Sequence, residues 1–466
     1  MVNLATVFIS YYSVKRITKS RYIGFIFSGV YTLCLYRLVN IYLRGSTGEV
    51  ISMAFIPLVM LGIYEIIRRD YKYWYLFAIG VTGIIQSHIP TTFLAACFTI
   101  SFCLLNIKHL NKKRIFALLK SALMILGLNM WFIIPFFTYY SYVEFPPRWP
   151  FRDTAVYLTQ LFSTFVTNTG YELGVRGTTF NEMPLTLGGV IGMGLIAFLY
   201  IIVFNKNKIT GIEQMGKTTL GYGLFALFAA SVFFPWYEIK FLRIFFQIQF
   251  VWRFLVIAAP LLSFSASIGI YLLLKKLKIK KNLSVFIAIC ICITGSYHYM
   301  DSVINTRTVL HGPGTIRPSI QNDYIYRGSN LEYTINNADV PIAGESIEIV
   351  STVRYFDGFT VLWTISKKDE IIDEDRYIEF PVYNFPGYAA MSSSNILPVL
   401  SGTNNFVRVY LPHDTSRGTV RLFYRGLNRF IIGDVISCLT FLVLLGFILG
   451  KRLKNFKLLL KRRGIG

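Results

Sequence analysis

Residues 44–72 read RGSTGEVISMAFIPLVMLGIYEIIRRDYK, and this stretch decides the fold class. From Val50 to Ile67 it is mainly apolar. A helix crossing a bilayer takes about 20 such residues, so the run is long enough to span. A short loop, Arg44–Glu49, precedes it, and a basic one, Arg68–Lys72, follows it. An apolar run with basic residues gathered at one end is how a membrane protein marks its cytoplasmic side.

The pattern repeats outward from there. Apolar runs lie at 22–42, 73–87, 90–105, 115–135, 185–204, 218–235, 251–274, 283–299 and 431–450. Residues 1–14 read as the last part of one more, so about eleven spans are expected. The break between 73–87 and 90–105 is His88-Ile89-Pro90, because proline disfavours helix in itself and in the residue before it. Basic loops (Lys15–Arg21, Arg68–Lys72, Lys108–Arg114, Lys206–Lys217, Lys275–Lys281 and the tail Lys451–Arg463) alternate with the others. Arg44–Glu49, the His88 turn, Tyr139–Pro184, Trp236–Gln249 and 300–430 are then expected outside, with the C-terminus in the cytoplasm. In this scheme Met1 falls outside, so residues 1–14 read either as a re-entrant or interfacial piece or as the start of a chain lacking an N-terminal helix and the first outside loop.

Composition agrees. Of 466 residues, 54% are hydrophobic and only 15% charged, against about a quarter charged in a soluble domain. That excludes a soluble enzyme, a disordered chain and a disulfide-stapled secreted domain. The net charge of +23 belongs to the short basic loops, so nucleic acid is not an expected partner. All six cysteines lie in apolar runs and read as small core residues; no metal site is expected from them or from the five scattered histidines.

Four parts follow: a membrane domain, 1–299, with an outside loop at 136–184; an outside β-rich domain, 300–430; a final helix, 431–450; and a basic cytoplasmic tail, 451–466. The loop holds Asp153 and Glu172, and Ala155–Thr167 reads as an amphipathic surface helix. In the β-rich part, Ser346–Thr352, Thr360–Ile365, Tyr377–Val382, Phe406–Leu411 and Thr419–Tyr424 read as strands between Gly-containing turns. A small β-sandwich is expected there.

Charged groups at helix ends in a membrane cost free energy and usually have a task. Arg37, Arg44 and Glu49 cluster around the start of the 50–67 run. They suit a pocket for an anionic head group, or equally a helix cap with a fixing salt bridge. His88 could meet a sugar or phosphate, or satisfy loose backbone at the break. Trp252 and Arg253 open the 251–274 run, where tryptophan commonly anchors at the interface and an outward arginine favours a ligand.

Several segments carry a family resemblance. They are Arg44-Gly45-Ser46-Thr47-Gly48-Glu49 with Phe55-Ile56-Pro57-Leu58, the Ser87-His88 turn, Gln249-Phe250-Val251-Trp252-Arg253-Phe254, Phe380–Tyr388, and Gly433-Asp434-Val435-Ile436-Ser437. In this order the chain resembles bacterial multi-spanning proteins of the YfhO type, which overlap with those labelled as having a 6-pyruvoyl-tetrahydropterin synthase-related domain. That family is similar to the GT-C glycosyltransferases. The resemblance implies a GT-C-like polytopic helical protein of the bacterial cytoplasmic membrane. It would transfer a sugar from a polyprenyl phosphate at the outer face, for envelope glycan or teichoic-acid modification.

It further implies Arg44, Arg253 and Arg37 on the phosphate side, with Glu49 and Trp252 beside them. Asp153, Glu172 and His88 are the candidate catalytic groups. The family's usual acid in the first outside loop has no counterpart here. Complete members can use a divalent metal; no cofactor is assigned to this chain. Expected partners are the lipid-linked sugar, an envelope glycan acceptor and membrane lipids. The alternative is a non-catalytic envelope scaffold, glycan-binding or lipid-handling protein.

Overall fold

The computed structural model describes residues 1–144, 154–162, 185–204, 211–307, 325–337, 339–366, 373–393 and 395–462. Its helices are α1 (Val2–Thr18), α2 (Arg21–Thr32), α3 (Leu35–Tyr42), α4 (Thr47–Arg68), α5 (Trp74–Ile85), α6 (Ile89–Leu105), α7 (Lys112–Tyr140), α8 (Gly189–Phe204), α9 (Gly211–Ala230), α10 (Leu255–Lys276), α11 (Lys281–Arg307), α12 (Leu331–Asn337) and α13 (Asn428–Arg462). Two compact units emerge. The first is 1–129, 148–310 and 443–466; the second is 130–147 and 311–442.

The first unit is helical. Its core runs along α10, where Leu255–Ala259 and Leu262–Gly269 are buried. Helix α10 packs on α8, α9 and α2, and α4 packs on α5 and α1. Small residues permit the closest approaches, as helices packed in lipid require. A Cβ on Gly62 would stand 2.3 Å from the Phe77 backbone nitrogen. One on Gly269 would stand 2.3 Å from the Gly194 carbonyl oxygen.

The expectation of about eleven spans is corrected. Among the described residues, four helical segments are long and apolar enough to cross a membrane: Thr47–Arg68, Lys112–Tyr140, Val251–Lys276 and Asn428–Leu453. The pair α2–α3, bent by 43°, would make a fifth. These few long apolar helices are what a multi-pass membrane protein requires. The shortfall has a physical cause. The 73–87 run forms a helix of 12 residues and the 90–105 run one of 17. At 1.5 Å per residue, α5 rises only about 18 Å, well short of a roughly 30 Å hydrocarbon core. The GT-C-like layout of about eleven spans, which the resemblance implies, is corrected with it.

Residues 155–162 do not begin an amphipathic helix. Val156 instead pairs in parallel with Ser231, its N–H donating to the Ala230 carbonyl at 2.8 Å. The rest of that expected helix lies outside the described residues.

The second unit holds the strands β1 (Val143–Glu144), β2 (Ile325–Tyr326), β3 (Ile342–Ala343), β4 (Ile347–Arg354), β5 (Gly358–Ile365), β6 (Tyr377–Tyr383), β7 (Tyr388–Ser392), β8 (Asn395–Leu397), β9 (Val399–Ser401), β10 (Phe406–Tyr410) and β11 (Arg417–Tyr424). The β-sandwich expectation is also corrected. β1 pairs with β2, and the other strands form two open sheets, in the orders β3-β6-β10-β9 and β4-β5-β11-β7-β8, with no closed sandwich among the described residues. Alternation does place the core: Val407 and Val409 of β10, and Val420 and Leu422 of β11, are buried with Trp363 and Phe380. Their neighbours Arg408 and Arg421 point away from that core.

Candidate functional site

Glu49 lies in the first turn of α4 and is fully buried. A carboxylate is favoured at a helix N-terminus, but burial demands further partners. They come from three segments. From α3, Tyr36 Oη donates a short hydrogen bond to Glu49 Oε1, and Asn40 Nδ2 donates to the same oxygen at 3.1 Å. From the α3–α4 loop, Arg44 Nη1 donates to Oε2 at 3.2 Å, and Ser46 Oγ donates to it at 3.5 Å. From the turn before α10, Arg253 Nε stands 3.9 Å from Oε2. Two guanidinium groups thus share one carboxylate.

Local backbone builds this arrangement. Gly45 takes φ 60°, in the left-handed region that favours glycine, and lets the chain turn between α3 and α4. Gly48 lets the α5–α6 turn approach: a Cβ there would stand 2.5 Å from the Ser87 carbonyl oxygen and 3.8 Å from His88 Cδ2. Gln249 takes φ 67°, uncommon for a residue with a side chain. Its Oε1 accepts from Arg253 Nη1 at 2.8 Å, and the Ile248 carbonyl accepts from the same nitrogen.

Aromatic rings form one wall. Phe250 and Trp252 stack at 4.4 Å with an interplanar angle of 7°. The Arg44 guanidinium lies 5.6 Å from the Trp252 ring, and that of Arg253 4.9 Å from Phe250. These rings stabilise flat cations and shield them from water. Trp252 Nε1 is buried with no hydrogen-bond partner among the described residues.

His88 precedes α6, and its Nδ1 is 2.7 Å from Thr91 Oγ1. Burial pushes the imidazole down to about 4, the Arg253 and Arg44 charges push the same way, and Glu49 opposes them. His88 is therefore neutral at pH 7.

Five of the residues singled out in the sequence come together: Arg44, Glu49, His88, Trp252 and Arg253. Arg37 does not join them. Its guanidinium is buried against Asn3 Oδ1 at 2.7 Å, Thr6 Oγ1 at 2.8 Å and the Thr32 carbonyl at 3.3 Å. Arg37 points about 100° around the helix from Tyr36, and these partners hold it away from the Glu49 carboxylate. Tyr36 and Asn40 escaped the sequence reading, although their i,i+4 spacing could have exposed them. Asp153 and Glu172 lie outside the described residues. Among those described, no three His, Cys, Asp or Glu side chains gather to hold a metal ion.

No protein-family model, curated protein or solved structure matches this chain. The family resemblance therefore stands on its sequence motifs alone.

A cavity of about 580 Å³ lies between α4, α6, α9 and α10, lined by residues such as Ile56, Val59, Phe98, Tyr222 and Ile257. None of the Glu49 cluster lines it. Ile56 is two helical turns along α4 from Glu49, about 10 Å. Ile257, in the first turn of α10, is four residues beyond Arg253.

Proposed function

We propose that the chain binds the phosphate of a polyprenyl-phosphate-linked sugar at Arg44 and Arg253, and transfers that sugar to a cell-envelope glycan. The single observation that carries the binding step is the pair of nearly buried guanidiniums held over one carboxylate. Two nearly buried arginines side by side suit a phosphate better than a neutral ligand. Glu49 orients both forks. The apolar cavity further along α4 and α10 supports a ligand with a long hydrocarbon tail.

In the transfer, an acceptor hydroxyl oxygen bonds to the anomeric carbon as the bond from that carbon to the phosphate oxygen breaks. The phosphate leaves with the bonding pair, and Arg44 and Arg253 stabilise its charge. The hydroxyl proton needs a base, and neutral His88 is the described candidate. A bacterial cytoplasmic membrane, with this cluster facing outward, is the setting this reading calls for.

One observation favours a second reading, lipid handling or glycan binding without catalysis. Glu49 is already committed to Tyr36, Asn40, Arg44 and Ser46, so it is not poised to accept a proton.

Mass spectrometry of lipids that copurify with the wild type, Arg44→Ala and Arg253→Ala tests binding. The wild type should carry a polyprenyl-phosphate sugar. Each variant should insert normally yet retain about tenfold less, the effect of losing one charge-assisted hydrogen bond. Equal retention in all three, or only bulk phospholipid in the wild type, overturns the proposal. With binding shown, sugar transfer that survives in His88→Gln would remove His88 as the base.

A further inference from the structure

Strands β4 and β5 are joined by a tight turn in which Tyr355 N–H donates to the Gly358 carbonyl at 2.8 Å. Phe356 at the tip is fully exposed, with Tyr355 and Val353 about half exposed beside it. A lone exposed ring needs no special explanation. Its position does.

The tip sits at the end of the sheet that leads into α13. Gly358 pairs with Phe423, and Tyr424 N–H donates to the Asp357 carbonyl at 2.8 Å. Tyr424 ends β11, and α13 begins at Asn428. Those four residues reach at most about 14 Å. The same strand end meets the last turn of α7, where the Tyr139 and Tyr424 hydroxyls hydrogen-bond. The Tyr139 ring also packs 5.7 Å from Phe430 of α13. Helices α7 and α13 are both long apolar spans, so two spans end at the strand end from which the hairpin projects.

The chemistry around the tip is that of a bilayer interface. Tyrosine collects where span ends meet headgroups, because its ring is apolar and its hydroxyl polar. Tyr139, Tyr388 and Tyr424 cluster here, with Tyr388 and Tyr424 rings 5.3 Å apart. Arg354, Arg421, Arg425 and Arg429 are exposed at this end, and Asp357 pairs with Arg421 at 3.3 Å.

We propose that the Tyr355–Phe356 hairpin tip is a membrane-interface anchor. It inserts its two rings at the headgroup and upper acyl level of the bilayer surface where α7 and α13 end. The surrounding arginines meet lipid phosphates. The β-rich unit is then held to the membrane at the hairpin as well as through its two helices.

The test uses the full chain in nanodiscs of phosphatidylcholine and phosphatidylglycerol, comparing Phe356→Trp with Glu348→Trp. Glu348 is exposed on the same strand, six residues and about 20 Å from Arg354, toward the opposite end. Emission added over the wild type is read against two quenchers: lipid brominated in the upper acyl chain, and aqueous iodide. For Phe356→Trp the added emission should be blue-shifted, quenched several-fold more by brominated than by plain lipid, and protected from iodide. Glu348→Trp should show the reverse. Iodide access equal to that of Glu348→Trp overturns the anchor. So does protection from both quenchers, which would mean that the ring docks on protein instead.

Discussion

Glu49 and Glu65 sit near opposite ends of α4, about 24 Å apart along the helix, and each takes charge from two arginines. At the Glu65 end, Arg16 Nε stands 2.8 Å and Arg69 Nη1 3.7 Å from Oε1, and the Asp70 N–H donates to Oε2 at 3.3 Å. Those arginines remain 24% and 26% exposed, whereas Arg44 and Arg253 at the other end are only 9% exposed. Arg16 also lies 3.7 Å over the Tyr73 ring, with Lys451 3.5 Å from the same ring. The Glu65 end is a partly wet clamp that ties loops together, where charges are screened and each pair contributes little. The Glu49 end is dry. There the charges are held for geometry, and losing one takes a buried partner from the others. The same three charges therefore make a partly exposed staple at one end and a buried cluster at the other, and burial is the difference.

The largest expected effect is on stability. Glu49→Ala leaves two buried guanidiniums without their carboxylate and should cost about 3–5 kcal/mol. Glu65→Ala, whose arginines can turn to water, should cost about 1–2 kcal/mol. Thermal unfolding of both variants in detergent decides it; equal losses would erase the distinction.

Next comes the approach that closes the dry end. Gly48→Ala should cost about 1–3 kcal/mol by pushing the Ser87 carbonyl away. Gly221→Ala has nothing within 4 Å to displace, and in a helix should be neutral or stabilising. A Gly48 variant as stable as the Gly221 variant would show that the two segments do not touch.

The comparison sharpens with arginine-to-lysine exchanges. Arg44→Lys should lower retention of the lipid phosphate several-fold, because lysine lacks the planar fork. Arg16→Lys should leave it unchanged. Parallel lipid mass spectrometry reads both, and a loss at Arg16 alone would reverse the assignment of the two ends.

The smallest effect is on pH dependence. His88 is pushed down to about 4 in the folded chain, against an ordinary value of 6.5. Its neutral form is thus the one the fold prefers. The stability this confers is fully present above pH 6.5 and is lost as pH falls toward 4. Between pH 6.5 and 5.5 the wild type should lose about 1 kcal/mol more than His88→Gln. Identical pH slopes in the two melting curves would count against a buried neutral imidazole.

Much of the site was legible because its residues are anomalous where they stand. Arg44, Glu49, His88 and Arg253 are polar groups at the edges of apolar runs, where a charge costs free energy without a partner. Arg37 looked the same in one dimension and proved to belong to a separate hydrogen-bond set with Asn3 and Thr6. Tyr36 and Asn40 were silent because tyrosine and asparagine near a helix end are common, and only the α3 face they share gives them a task.

The sequence by itself determined which stretches are apolar helix and which are alternating strand, since both periodicities are properties of local chain geometry. It did not determine what the apolar helices face. The most apolar stretches of α4 and α10 are 78% buried within the protein, while those of α7 and α13 are 22% and 17% buried. Hydropathy registers removal from water and is blind to whether lipid or protein does the removing. Tertiary structure therefore decided the number of long spans, the two open sheets in place of a closed sandwich, and the meeting of three distant segments around Glu49. Each depends on which surfaces touch, which no single residue specifies.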